Sequence, residues 1–392
     1  MLRIASALSE VDAGAWEACA NPRGMPFHPF TSYPFLSALE DSGSAVAKTG
    51  WGAQHLLLED DSGGLAAVMP LYLKGHSQGE YVFDHSWADA FMRVGGQYYP
   101  KLLSAVPFTP VTGRRLLLRP DAKPCEAEDV LIAGAIALAK RGGWSSVHVN
   151  FPTKAEWDRL AGSGCLAREG QQFHWTNDGY SCFEDFLAAL ASRKRKQIRK
   201  ERAEALANGI TIRWLTGRDL KETHWDAFFS FYMDTGNRKW GRPYLTRRFF
   251  SLIGERMAEH TLLILCERAG RPIAGALNFI GGDALYGRYW GAIEDHPCLH
   301  FEACYYQAID FAIAHKLARV EAGAQGEHKL ARGYRPVPTY SAHWIAEPGF
   351  RDAVARYLVS ERRMVAAEIE ALDAHAPFRK TSTAQMGDER EP

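Results

Sequence analysis

The 392-residue chain lacks an excess of either charge: 46 basic residues balance 46 acidic ones, for a formal net charge of zero. That balance argues against a general nucleic-acid coat protein, which is basic throughout, and no DNA partner is expected. Any contact with a polyanion must be local. Long apolar runs are also missing. No stretch approaches the ~18 residues that a membrane-spanning helix needs, so no integral membrane association is expected. The first twenty residues, MLRIASALSEVDAGAWEACA, hold Glu10, Asp12 and Glu17 and no long apolar centre, unlike a secretory signal. The seven cysteines (Cys19, Cys125, Cys165, Cys182, Cys266, Cys298 and Cys304) are odd in number, scattered and without a Cys-x-x-Cys pair. They fit reduced thiols in a cytoplasmic protein better than a disulfide framework or a zinc site. Neither a Gly-x-Ser-x-Gly turn nor a cysteine in a suggestive context is present, so no nucleophilic triad is apparent.

What the chain does have is an ordinary globular composition, 46% hydrophobic and 23% charged, and a length above that of a single core. Two domains follow as the prior. The sequence also repeats. Leu56 to Leu71, LLLEDDSGGLAAVMPL, matches Ile264 to Phe279, ILCERAGRPIAGALNF, at an offset of 208 without a gap. Glu59 pairs with Glu267, Leu65 with Ile273 and Ala66 with Ala274. Each unit reads as two apolar strands around a tight turn. A third aromatic strand is expected at Glu80–Trp87 and Ala284–Trp290. A helix follows in each half (Ala127–Gly143 and His300–Leu317), then a strand (Ser145–Phe151 and Ala318–Ala324). Chance likeness between common hairpins is the bland alternative; the matching order of later elements favours duplication. The expected boundaries are 1–180 for the first unit, 181–370 for the second, and 371–392 for a polar, disordered tail.

A dense positive stripe lies where the halves meet. Seven of the ten residues from Arg193 to Arg202 are Lys or Arg. A helix from Ser192, its expected cap, to about Ala207 places Arg195, Arg199 and Arg202 on one face, with Ile198 as the apolar anchor. The stretch at Asn208-Gly209 ends it.

Several longer motifs carry a family resemblance: "QFHWTNDGYSCFEDFLAALASRKRKQIRKERAEA", "WGRPYLTRRFF", "GRYWGA", "LHFEACYYQAIDFAI", "EAGAQGEHKLARGYRPV" and "YSAHWIA", with "VPFTPVTGRRLL" in the first half. From about Ala5 to Arg362 the sequence resembles a bacterial family of predicted N-acyltransferases described as FemAB-like, or as concerned with peptidoglycan biosynthesis or recognition. The resemblance implies an α/β (α+β) fold of two tandem GNAT-like halves, each a mostly antiparallel sheet flanked by helices. It implies transfer of an acyl or aminoacyl group from aminoacyl-tRNA or another carried donor onto an amine of an anionic, precursor-like acceptor. In Fem-type enzymes a basic Arg-x-x-Ile-Arg-Lys helix begins near the second domain; Arg195, Ile198 and Arg199 are the matching positions. The stripe would then hold phosphate or diphosphate; the alternative is a solvated face partly offset by Glu201 and Glu204.

One departure matters. An acetyl-CoA-using GNAT domain has a Gly-rich turn before its central helix, where backbone N–H groups cradle the pyrophosphate. Neither AIEDHPCLHFEA nor RPDAKPCEAED contains one. An aminoacyl-tRNA donor gains ground, with acyl-CoA as the alternative and a non-catalytic precursor- or RNA-binding module as another. No tightly bound cofactor is expected.

Acyl transfer to an amine needs proton removal, oxyanion stabilisation and alignment. The densest polar constellation is GAQGEHKLARGYRP, Gly323 to Pro336, after a strand. Glu327 or His328 would be the base, and Lys329 and Arg332 would bind substrate; the bland reading is a loop that satisfies backbone groups. His300 and Glu302 open the opposite helix as further catalytic candidates, or simply as cap and dipole complement. Arg288, Tyr289 and Trp290 lie on the strand that faces the donor in GNAT-like domains. Alternation puts Arg288 and Trp290 on one face and Tyr289 on the other, with the strand's backbone N–H groups as the oxyanion hole. Trp240 and Arg242, in the polar aromatic stretch Asp234–Tyr244, are candidates for gripping substrate. Asp84, His85 and Asp89 have the residue types of metal ligands but no spaced partner set, so no metal site is expected.

Overall fold

The computed structural model describes residues 1–239, 243–323 and 326–379. The first half supplies strands β1 (Leu2–Ala5), β2 (Trp51–Ala53), β3 (His55–Glu59), β4 (Leu65–Met69), β5 (Tyr72–Lys74), β6 (Lys101–Ser104), β7 (Leu117–Leu118), β8 (Ser146–Asn150) and β9 (Leu166–Thr176). The second half supplies β10 (Ile210–Leu215), β11 (Thr261–Arg268), β12 (Arg271–Ile280), β13 (Ala284–Ala292), β14 (Arg319–Glu321) and β15 (Arg335–Ile345). They form a four-stranded sheet, β1-β3-β4-β7, and an eleven-stranded one, β10-β11-β12-β13-β14-β9-β15-β8-β6-β5-β2. All pairings are antiparallel except β13–β14 and β6–β8. Helices flank them, as in the expected α/β class.

The internal repeat is visible in the pairing. β1-β3-β4-β7 and β10-β11-β12-β13 follow the same order, antiparallel throughout. Both central hairpins carry a bulge, between Leu58 and Glu59 in one and between Cys266 and Glu267 in the other. These two sites stand at the sequence offset of 208. The third strand of the first set is β7, not the expected Glu80–Trp87. That stretch is a loop leading into a helix, His85–Arg93. Its Glu80 and Asp84 are buried and held by Lys101, which draws the segment out of any alternating pattern.

The halves exchange strands. β9, from the first, lies between β14 and β15 of the second, and β15 pairs in turn with β8. Their aromatic core is shared as well: Phe30 packs against Phe279 with ring centroids 5.2 Å apart, and Phe35 against Phe249 at 5.9 Å. Each such buried ring contributes about 1.5–3 kcal/mol, so this seam is a core rather than a loose contact.

The basic segment is a helix, Ser192–Ala205, with Ile198 buried as expected. Ser192 does not cap it: Ala191 holds the cap position and no side chain bonds there. The stretch after it turns at Asn208 and Gly209, both with positive φ. The chain is built beyond residue 370, where a tail was expected. The last helix runs Pro348–Ala374, and Phe378 bridges to Leu190. Residues 380–392 lie outside the described residues. Among the described residues no helix is long and apolar enough to cross a membrane.

Candidate active site

The site is made where two strands part. β13 pairs with β14 only over Ala284–Tyr286, yet it continues to Ala292. Beyond Tyr286 its backbone edge on that side has no strand partner among the described residues. Two openings meet there. A narrow slot of about 100 Å³ lies between β12, β13 and the following helix and is lined by Asn278, Cys304 and Tyr305 among others. A cavity of about 500 Å³ lies between the halves, walled by Tyr81 and Phe108 from the first and Tyr232 and Tyr244 from the second. Arg288, Tyr289, Trp290, His300 and Ala322 border both. The helix forming one wall, Glu222–Lys239, can approach because residue 291 is glycine: a Cβ there would stand 2.3 Å from the Phe231 carbonyl carbon.

The predicted residues Arg288, Tyr289, Trp290 and His300 thus come together, but not with the expected facing. Leu277 pairs with Tyr289 and Asn278 with Gly287, which leaves Arg288 as the extra residue of a bulge. A bulge turns consecutive side chains to one side. Arg288 lies over the Phe30 ring (4.9 Å) and Tyr289 packs edge-on to Tyr232 (5.7 Å), in one core cluster. Trp290 takes the other side, against His300 at 5.4 Å. The Arg288 side chain is buried. Its Nη1 donates to the Gly287 carbonyl, while Nε and Nη2 have no hydrogen-bond partner, Nη2 standing 3.6 Å from Glu321.

The helix across the slot is α-helical at Leu299–Phe301, π-helical at Glu302–Tyr306 and α-helical again at Gln307–Ala314. Single π turns inside helices recur at functional sites. Glu302, a catalytic candidate by sequence, is fully buried and accepts from Arg202 at 3.0 Å and Gln307 at 2.7 Å. Burial raises its carboxyl above the ordinary range, against the pull of Arg202. Arg202 also binds Asp310 at 2.6 Å and lies over Phe183. Both residues are therefore committed to each other, a buried ion pair rather than a base and a substrate ligand. Arg332 is likewise occupied. It donates to both oxygens of Glu201 at 3.0 Å and to the His328 carbonyl at 2.7 Å, and stacks 3.4 Å over Phe301.

Of the loop candidates, His328 is exposed toward a third cavity of about 660 Å³, on the side of the last helix. Its Nε2 bonds the Tyr305 hydroxyl at 2.8 Å, which links it to the slot. Lys329 is buried and donates to the Gly323 carbonyl at 3.0 Å; burial, reinforced by Arg288, pushes its ammonium down to about 7. The Glu327 side chain, Trp240 and Arg242 lie outside the described residues. On the basic helix Arg199 pairs with Glu184 at 2.5 Å, and Arg195 is half-buried without an ion pair among the described residues.

A charged cluster beside the cavity escaped sequence reading. Lys101 is fully buried and donates to Ser77 (2.8 Å), Glu80 (2.8 Å) and Asp84 (2.5 Å). Lys74, also buried, sits 4.0 Å from Glu80 and 3.5 Å over Trp51. Burial pushes Glu80 up to about 7 and Lys74 down to about 7. Burial would also raise Asp84, but the Lys101 ammonium, together with His148 and Ser77, reverses it and holds Asp84 well below the carboxylate range. The only local signal was a lysine opening an apolar strand. Asp84 is thus bonded to a cation, and among the described residues no group of three or more His, Cys, Asp and Glu could hold a metal ion.

This geometry finds parallels among solved structures. The fold is similar to that of FemX, at 13% identity and a TM-score of 0.54, over 88% of this chain and 98% of that one. It is similar to L-PGS from Bacillus licheniformis (10%, TM-score 0.51, 86% and 98%). A third likeness is the C-terminal domain of a putative lysylphosphatidylglycerol synthetase from Agrobacterium fabrum (9%, TM-score 0.52, 87% and 95%). A comparison with curated proteins gives no match. The family match covers residues 7–380, in agreement with the resemblance: the chain belongs to the FemAB-like family, described as one of peptidoglycan biosynthesis or recognition.

Proposed function

We propose that the chain transfers an aminoacyl group from aminoacyl-tRNA to the amine of an anionic acceptor. One observation carries the reading: a slot and a cavity, on opposite sides of β13, meet at residues 288–290. The donor carbonyl enters by the slot and the amine by the cavity between the halves. His300 borders both, so it is the group suited to take the amine proton as nitrogen attacks the carbonyl carbon. The tetrahedral oxyanion would rest on backbone N–H groups of the unpaired β13 edge. Collapse breaks the ester bond, and the proton passes to the departing ribose oxygen. His328, joined to the slot through Tyr305, is the second candidate base.

Two features favour tRNA over acyl-CoA. The helix at the slot begins at Leu299 behind Cys298, with no glycine turn for a pyrophosphate. The basic helix carries Arg193, Lys194, Arg195, Lys196 and Lys200 outside the ion pairs of Arg199 and Arg202. Such cations suit successive phosphates of an RNA backbone. The test offers purified protein tRNA charged with labelled amino acids, and labelled acetyl-CoA in parallel, with a panel of amines. Label should move from charged tRNA. Acetyl transfer with no aminoacyl transfer would overturn the donor assignment.

A further inference from the structure

The cavity between the halves has a composition of its own. Its walls are aromatic, and no Asp or Glu lines it among the described residues. Tyr232 and Tyr289 have their hydroxyls engaged, the first accepting from the Tyr244 and Leu245 amides, the second donating to the Phe108 carbonyl at 3.2 Å. The Tyr81 hydroxyl makes no hydrogen bond among the described residues, although Tyr232, Tyr244 and Arg288 are its charged or polar neighbours. The buried Arg288 brings two nitrogens, Nε and Nη2, without hydrogen-bond partners, although Nη2 stands 3.6 Å from Glu321 in an ion pair.

The walls are also held in place at a cost. Tyr81 and Phe108 both sit at positive φ (59° and 60°), the left-handed region that a bulky residue adopts only when its surroundings impose it. Tyr81 lies between Glu80 and Asp84, the two carboxylates that Lys101 grips. Phe108 bonds through its amide to Gly79, where a Cβ would stand 2.6 Å from the Phe108 ring. Phe108 then stacks on Tyr244, ring centroids 4.8 Å apart and 12° from parallel. Backbone strain clustered on the aromatic walls of one cavity, beside a guanidinium with two nitrogens that lack hydrogen-bond partners, is the signature of a preorganised binding site.

We propose that this cavity binds the acceptor, and that the acceptor is an aromatic amine that also bears a carboxylate, the chemistry of a free aromatic α-amino acid. This rests on the acyl-transfer reading for the fate of the amine. The aromatic walls take the ring by stacking and edge contacts. Arg288 takes the carboxylate as a charge-assisted partner, and the Tyr81 hydroxyl is the remaining polar handle. An aliphatic diamine is disfavoured, because the described wall offers its second ammonium no carboxylate.

Binding is read without any donor, by calorimetric titration of the full chain with phenylalanine, tyrosine, phenethylamine, leucine and lysine. Phenylalanine and tyrosine should bind at least about tenfold more tightly than leucine, lysine or phenethylamine, the last of which lacks the carboxylate; tenfold is the loss of one good contact. Tyr81→Leu should abolish the preference for phenylalanine over leucine. Should Tyr81→Leu fail to fold, Tyr81→Phe keeps the ring and should weaken tyrosine and phenylalanine alike. Leucine or lysine binding as tightly as phenylalanine, or phenethylamine matching phenylalanine, would overturn the proposal. The two readings fail separately. Bound phenylalanine that accepts no acyl group from any donor refutes acyl transfer alone, whereas transfer to aliphatic amines without binding of aromatic ones refutes this assignment alone.

Discussion

Replacing Lys101 with methionine removes a buried cation while nearly keeping its shape. Lys101 is the shared partner of Glu80 and Asp84, at 2.8 and 2.5 Å, and all three are buried. Among the described residues Lys74 is the only other cation paired with Glu80, and it stands 4.0 Å away. Breaking a buried ion pair from one side costs about 3–5 kcal/mol, because the orphaned charge stays desolvated. That is a large part of a typical stability of about 5–15 kcal/mol. The pH dependence has a definite sign. Glu80 already titrates at about 7 in the fold, above its ordinary value of 4.5. Its contribution is therefore fully present below the unfolded value and is lost as pH rises toward 7. Asp84, held low by Lys101, contributes in the opposite sense and loses its stabilising effect as pH falls through its depressed value. Without Lys101 both carboxyls move up, so the variant's deficit should be small at about pH 5, where they take up protons, and larger at about pH 8. Urea unfolding followed by tryptophan fluorescence measures both, since Trp51 and Trp87 lie near. A deficit below about 1 kcal/mol at the higher pH, or a larger deficit at the lower, would refute the reasoning.

Three further outcomes are expected. Arg202→Met should cost about 3 kcal/mol or more, since it strands the fully buried Glu302, and thermal melting reads it. The double variant Arg195→Glu and Lys196→Glu should melt as the wild type but weaken binding of uncharged tRNA and flatten its salt dependence; unchanged affinity in a filter-binding titration removes the RNA assignment. His300→Asn should lower kcat for aminoacyl transfer about a hundredfold with KM little altered, the pattern of a lost base. Full activity in that variant passes the role to His328.

Local features survived the step from sequence to structure. The two hairpins, their offset and the basic helix were all legible, because each depends on neighbours in the chain or on a motif; that His300 comes to lie against Trp290 was not read from the sequence. What failed was set by partners far away in sequence. The Arg288 bulge arises in the pairing of β13 with β12, so strict alternation put Trp290 on the wrong side. Glu302 is fixed by Arg202, a hundred residues earlier, and no local period records that bond. β9 leaves its own half to pair with β14 and β15, and nothing in the β9 stretch Leu166–Thr176 marks the exchange. Glu80 and Asp84 belong with Lys101 because the fold closes over them.

The basic helix shows how one stretch can serve two purposes. A charge run on a helix is usually a solvated face. Here the inward residues are tied to the walls of the slot. Arg202 holds Glu302 and Asp310 around the π turn, while Glu201 holds Arg332 and the Tyr306 hydroxyl. These contacts anchor the helix to the turn Glu327–Arg332 and to the helix across the slot. The cations Arg193, Lys196 and Lys200, exposed, and Lys194 and Arg195, half-buried, have no such partners among the described residues, and unpaired charges at a surface add little to folding. Stability therefore gives no account of these cations, whereas the proposed polyanionic donor, docking beside the slot, would supply one. On the proposed reading the same ion pairs would connect a docked phosphate backbone to Glu302 and Arg332, which hold the basic helix against the helix across the slot and the turn beside it.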